Sequence, residues 1–186
     1  MVTLGTGVGG GIIINNKILA GAFGAAGEIG HIKVRDTDIE KCGCGNEGCL
    51  EQYASATGIV RLAKEQLAKD SRETGLKNLV NITAKDVFDF AKSGDEVSLA
   101  IVEEVGRMLG TTIANLACTV NPEIVVIGGG VSKAGDILID VIKKHFLRRC
   151  FHACSKTEIC LAELGNDAGI YGAAMLIMNG EKGCRN

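Results

Sequence analysis

Between Glu28 and Glu51 the chain gathers side chains that can hold a metal ion and a polar ligand. The run reads Glu28-Ile-Gly-His31, then Cys42-Gly-Cys44-Gly-Asn-Glu-Gly-Cys49-Leu-Glu51. Gly43, Gly45 and Gly48 are threaded among the cysteines. Glycine lets a backbone fold tightly enough for close-spaced thiolates to converge on one point. His31, Cys42, Cys44 and Cys49 together make a closed tetrahedral donor set, the kind that binds structural Zn²⁺ and leaves no open position. The plainer alternative is a group of buried, reduced thiols, since free cysteine is among the most buried residue types. That alternative explains neither the glycines nor the nearby histidine. A disulfide framework fits less well, because the composition reads as intracellular and three close thiols leave one over.

The elements that must position these residues can be read outward from them. The 186 residues are 46% hydrophobic and 23% charged, with a net charge of −2. That is the composition of a globular domain, and it offers no basic footprint for nucleic acid. No apolar run approaches the length of a membrane span, and the start of the chain lacks a signal-peptide pattern, so a cytoplasmic protein without a membrane partner is expected. The other thiols, Cys118, Cys150, Cys154, Cys160 and Cys184, show no metal-ligand spacing.

Near the N-terminus, Gly5, Gly7 and Gly10 spell a formal G-x-G-x-x-G. A dinucleotide-binding reading needs a helix immediately after it. The next residues are instead Ile12-Ile-Ile14, Asn15-Asn16 and Lys17-Ile-Leu19, which predict a β-hairpin turning at the paired asparagines. Such a glycine-rich turn can still offer backbone N–H groups to a phosphate. A third strand is expected over 28–34, then the cysteine loop. Ile59, Leu62, Ala63 and Leu67 predict a helix over 55–69. Thr83 to Asp86 resembles a capping box opening a helix that Gly94 can close. A long helix over 95–119 carries Val97, Ile101, Val105, Leu109, Ile113 and Leu116 on one stripe, with Pro122 beyond its end. A buried strand over 123–127 leads to Gly128-Gly129-Gly130. Further elements are a helix over 136–149, a strand over 157–161 and a last helix over about 169–178. The order, a β-meander and then alternating helices and strands, predicts a mixed α/β domain.

Taken together, these motifs resemble the C-terminal part of the ROK-family sugar kinases, and bacterial glucokinases in particular. The residues that carry the resemblance are Gly5 to Gly11, Glu28-x-Gly-His31, the cysteine loop ending in Glu51, Ile127 to Gly130, and Asp167-Ala-Gly169. They cover essentially the whole chain, residues 1–186, as one domain. The resemblance implies an actin-like, hexokinase-type (ribonuclease H-like) ATPase fold, of which this is the C-terminal half, with a mixed sheet, flanking helices and a zinc loop over 31–51. It implies that Glu28, His31 and Glu51 bind glucose or a related hexose, with His31 also on Zn²⁺. It implies further that Gly5, Thr6, Gly7, Val8, Gly9, Gly10 and Gly11 line the phosphates of ATP, taken with Mg²⁺ as co-substrate. Gly128, Gly129 and Gly130 would pack against its adenosine. The alternatives are a kinase for another hexose or an N-acetylhexosamine, and the sensor domain of a ROK transcriptional repressor.

By the same resemblance, a further phosphate loop and the aspartate that takes the sugar's proton belong to an N-terminal domain preceding this sequence. No catalytic base is therefore expected in these residues, and the fragment alone is expected to be inactive. An apolar last helix, Ile170 to Met178, would favour a homodimer.

Overall fold

The computed structural model describes residues 1–38 and 40–178; Cys184 lies outside them. β1 (Val2–Leu4) and β2 (Val8–Gly10) pair antiparallel across the first glycine turn, with Leu4 opposite Val8. β3 (Ile13–Ile14) and β4 (Lys17–Ile18) form the expected small hairpin, and Asn15 and Asn16 at its tip both have positive φ. β5 (Ile124–Gly128) lies parallel to β1, and β6 (Glu158–Leu161) lies parallel to β5. The central sheet is thus mixed, in the order β2-β1-β5-β6. The G-x-G-x-x-G leads into this hairpin and not into a helix, so the dinucleotide-binding context is absent.

The stretch over 28–34 does not become a strand. It forms a 3₁₀ turn at Ile29–His31, and only Lys33 then makes an isolated bridge, to Cys49. Packing decides this. Ile29 and Gly30 are buried against β2, and a Cβ on Gly30 would lie 2.1 Å from the Val8 carbonyl oxygen. The segment therefore crosses the face of β2 rather than extending its edge.

The helices lie close to their sequence signals. α1 (Glu51–Ala54) is a single short turn, and α2 (Ala56–Lys69) starts at Ser55, whose hydroxyl accepts from the Gly58 N–H. α3 (Ala84–Lys92) opens on a complete Thr83–Asp86 capping box. α4 (Glu96–Val120) is capped by Asp95, and Asn121 ends it in the left-handed conformation just before Pro122. α5 (Asp136–Arg149) packs along α4, burying Leu138, Ile142 and Phe146. α6 (Ala168–Met178) is apolar yet exposed, with Ile170 at 72% and Ile177 at 81%. Among the described residues, no helix is long and apolar enough to cross a membrane.

α4 and α5 come close because Gly106 and Gly110 leave room. A Cβ on Gly110 would sit 2.6 Å from the Ile142 carbonyl oxygen and 2.7 Å from the His145 Cβ. Backbone on an adjacent helix cannot step aside for one side chain. Gly110→Val is therefore expected to lower the unfolding free energy by about 1–3 kcal/mol through overpacking, read as a lower denaturant midpoint with an unchanged slope.

Candidate metal centre and ligand groove

The cysteine loop closes on itself through its backbone. The Cys42 N–H donates to the Asn46 carbonyl, the Gly45 N–H to the Cys42 carbonyl, and the Leu50 N–H to the Ile32 carbonyl. These bonds bring the imidazole and the three thiols together, with ligand atoms of His31, Cys42, Cys44 and Cys49 all within 4.8 Å of one another. Cys44 Sγ lies 3.7 Å from Cys49 Sγ, and Cys42 Sγ lies 3.7 Å from His31 Nδ1. With Zn–S bonds of about 2.3 Å, the edge of a sulfur tetrahedron is roughly 3.8 Å, so the spacing fits that ion. Burial pushes the Cys49 thiol up to about 12, and the neighbouring Cys44 and Cys42 add to the effect. The Asn46 amide draws Cys44 the other way. A divalent cation at the centre of the set would favour the thiolate form of its ligands.

Glu51 links this centre to the first glycine turn. Its Oε2 accepts from the Val8 N–H at 2.9 Å, and its Oε1 lies 3.9 Å from Cys42 Sγ. The carboxylate fills the space beside Gly7, where a Cβ would stand 2.3 Å from Oε2. The turn is also fixed to the start of α2: the Ala56 N–H donates to the Gly5 carbonyl, and Thr57 Oγ1 donates to the Thr6 carbonyl at 3.2 Å. Glu28 precedes the 3₁₀ turn and is exposed, while His31 and Glu51 are half-buried.

A second cluster, which no sequence motif announces, lies beside the loop, and its Asp38, Glu40, Arg61 and Glu65 line the same groove as Glu51. Asp38 is buried, accepts from the Tyr53 hydroxyl, and takes Arg61 Nη2 at 2.6 Å. Arg61 Nε also reaches Glu65 at 3.1 Å and Glu40 at 3.2 Å. The fully buried Tyr53 ring lies under both Arg35 and Arg61, at 4.4 and 5.2 Å. Burial alone would raise the Asp38 pKa, but hydrogen bonds from Arg61, Tyr53 and the Glu40 N–H outweigh it and hold the carboxyl well below the usual range. Burial and the bond to Asp38 push Tyr53 up to about 12. The partners of Asp38 are 15 and 23 residues away in the chain, so no local spacing signals the cluster.

Two concavities open beside these groups. A groove of about 1110 Å³ includes Thr6, Cys42, Glu51, Thr57 and Lys64 in its wall. A cavity of about 310 Å³ is lined by Phe88, Gly130, Val131 and Ala134, together with Lys92 and Lys133. The two share Ala56, Thr83 and Ala84. The glycines expected to line a nucleotide divide by environment. Gly5 and Gly130 face open space, whereas Gly9 and Gly10 are pressed on Thr3 and Gly27. Gly129, at φ +88, brings its turn so near β1 that a Cβ would lie 2.5 Å from the Leu4 carbonyl oxygen.

The profile of the ROK family matches residues 1–179. The chain is 48% identical to a glucokinase of Halalkalibacterium halodurans, over 97% of this chain and 56% of that protein. It is 32% identical to a xylose repressor of Caldicellulosiruptor bescii, over 96% of this chain and 45% of that protein. Among solved structures, it superposes on a ROK family glucokinase from Streptomyces griseus in complex with glucose and AMPPNP. There the TM-score is 0.84 and the identity 38%, over 96% of this chain and 60% of that one. The chain thus spans a little over half the length of the glucokinases it matches.

Gly7→Ala would meet only the far end of a flexible side chain, so Glu51 is expected to swing off the Val8 amide while the fold persists. Faster hydrogen exchange at Val8, with a stability loss of about 1.5–3 kcal/mol, the worth of a hydrogen bond to a charged group, checks it. For Asp38, a depressed folded-state pKa means that its stabilisation is complete above the ordinary carboxylate value of about 3.9 and drains away as pH falls below it. The stability difference between wild type and Asp38→Asn, measured by denaturation from neutral to strongly acid pH, should therefore shrink in acid.

Proposed function

The chain belongs to the ROK family, and on that premise we propose that it forms the sugar- and nucleotide-binding part of an ATP-dependent glucokinase, phosphorylating the 6-hydroxyl of glucose. Its fold is the actin-like, hexokinase-type fold of ROK sugar kinases, a mixed sheet with helices. The observation that carries the proposal is the continuity of the two concavities. A groove holding Glu51 beside the metal set runs into a cavity under Gly130 through Ala56, Thr83 and Ala84. A phosphoryl donor and its acceptor need such adjacency, because this reaction relies on positioning and charge stabilisation.

In this reading Glu28, His31 and Glu51 hold the hexose, each carboxylate accepting from sugar hydroxyls. The Nδ1 of His31 faces Cys42, which leaves Nε2 for a sugar oxygen. Zn²⁺ on His31, Cys42, Cys44 and Cys49 would fix the imidazole's orientation and tautomer and serve as a scaffold. Its thiolates imply a reducing, cytoplasmic setting. Thr6, exposed on the turn beside the open space at Gly5, suits the phosphates of Mg²⁺-ATP. The apolar wall of Val131, Ala134 and Phe88 suits a purine, and the cavity's size lies within the range of small-molecule sites. The exposed apolar residues of α6 support a homodimer.

The similarity to a xylose repressor supports a second reading, a sugar sensor without ATP chemistry. Calorimetry of the full-length protein with glucose and with AMPPNP separates them. The kinase reading expects both to bind and a coupled assay to report turnover with Mg²⁺-ATP; glucose binding with no nucleotide binding would favour the sensor. Glu51→Gln is expected to weaken glucose on the order of ten-fold or more, the cost of a charge-assisted hydrogen bond. Unchanged glucose affinity in that variant would sink the assignment of Glu51.

A further inference from the structure

We propose that Asp38 is the positioning residue of the metal loop, fixing where Cys42 arrives relative to the other three ligands. The inference rests on the metal reading above and goes beyond it by naming what prebuilds the site. Among the described residues, the chain from Ile32 to Cys42 forms no helix and is paired only by isolated bridges, Lys33 to Cys49 and Lys41 to Glu47. Its first part is held: the Val34 and Arg35 N–H groups both donate to the Gly48 carbonyl. Beyond Asp36 the inward anchor is Asp38, the one buried acidic side chain among the described residues.

The anchor joins three separate pieces of the site. Tyr53 lies on α1, the same turn of helix that starts with Glu51. Arg61 lies on α2, whose first residues hold the Gly5–Thr6 turn. Asp38 grips both, at the Tyr53 hydroxyl and at Arg61 Nη2. The Gln52 side chain adds a lighter tie, donating to the Glu40 carbonyl at 2.8 Å while accepting from the Cys49 N–H at 3.1 Å. Cys42, Cys49 and Glu51 therefore share one rigid backing.

The chemistry requires an aspartate there. An isosteric amide keeps the shape but leaves Arg61 with less compensation in a half-buried place, where its Nη1 has no partner among the described residues. Removing one member of a buried charge pair costs far more than losing a surface pair. A glutamate keeps the charge but is one methylene too long for the Tyr53–Arg61 fork. Asp38 lines the groove, but its side-chain partners are Tyr53 and Arg61 and not the imidazole or a thiol of the metal set, so toward the metal it acts through the loop.

The test uses full-length protein loaded with Zn²⁺ and measures metal release to a chelating indicator, beside thermal melting. A Co²⁺-substituted sample adds thiolate-to-metal absorption as a reading of coordination. Asp38→Asn is expected to release Zn²⁺ on the order of ten-fold faster, as happens when supporting partners of a metal site are lost, with weakened Co²⁺ bands. Arg61→Gln should act in the same direction, and the double variant should be little worse than either alone, because both break one interaction. Asp38→Glu should recover part of the loss. Arg61→Lys, which keeps the charge without the fork, carries the same test if Asp38→Asn does not fold. Variants that melt earlier yet release metal at the wild-type rate, with unaltered Co²⁺ bands, would reduce Asp38 to a stabilising contact and overturn the proposal alone. A wild type that holds no metal would overturn the metal reading and this proposal with it.

Discussion

The bond from the Val8 amide to the Glu51 carboxylate is the constraint on which the rest of the site depends. Val8 begins the strand after the glycine turn, and Glu51 begins the helix after the cysteine loop. Forty-three residues separate them in the chain, so the contact closes the whole N-terminal third into one unit. It also dictates a local residue type, because the carboxylate occupies the volume a side chain at position 7 would need. A charged acceptor on a part-buried backbone N–H is among the stronger hydrogen bonds available to a protein. Through it, any displacement of the cysteine loop is felt at the turn, and the reverse.

The parts of the fold legible in the sequence are those with a local physical signature. Periodic apolar residues, the Thr83–Asp86 box, Asp95 before α4 and Pro122 after it all act within a few residues, and the helices lie where they indicate. The cysteine spacing is legible for the same reason, since three ligands and three glycines must turn together. The stretch over 28–34 reads as a strand but is not one, because its conformation is imposed from outside: Gly30 packs on the Val8 carbonyl, which no feature of the segment itself announces. The pairing of β1 with β5 spans more than a hundred residues and has no local sign either. Nor does Asp38, which in sequence looks like any solvated loop aspartate.

The glycine turns show how a motif can mix two purposes. Gly129 is required by the sheet: its positive φ and its approach to Leu4 bring the end of β5 down on β1. Gly130, one residue later, has open space around it and lines the cavity. In the first turn Gly7 makes room for Glu51, while Gly5 stands open. Counting glycines overstates the number available to a ligand. The structural ones nonetheless set the position of the open ones, since a turn anchored on both sides is held in one place.

A loop of this kind also gives a physical reason for a metal-ligand set and a charge cluster to stand where a core would otherwise be. Gly45 and Gly48 need positive φ, Cys44 and its neighbours are exposed, and little apolar side chain is available between His31 and Cys49. Hydrophobic burial scales with area removed from water, so such a segment cannot fold on that account. Two directional devices replace it. On the inner side, the Tyr53 ring lies under two guanidinium groups and its hydroxyl donates to Asp38, where cation–π contact and paired charge act on a desolvated ring. On the outer side, four candidate ligand atoms lie within 4.8 Å of one another, two pairs of them at 3.7 Å. Directional interactions fix orientation as well as distance, which apolar packing of so few atoms would not. In the proposed function His31 and Glu51 would need that property, because a sugar hydroxyl is recognised by the angle of a lone pair as much as by its reach.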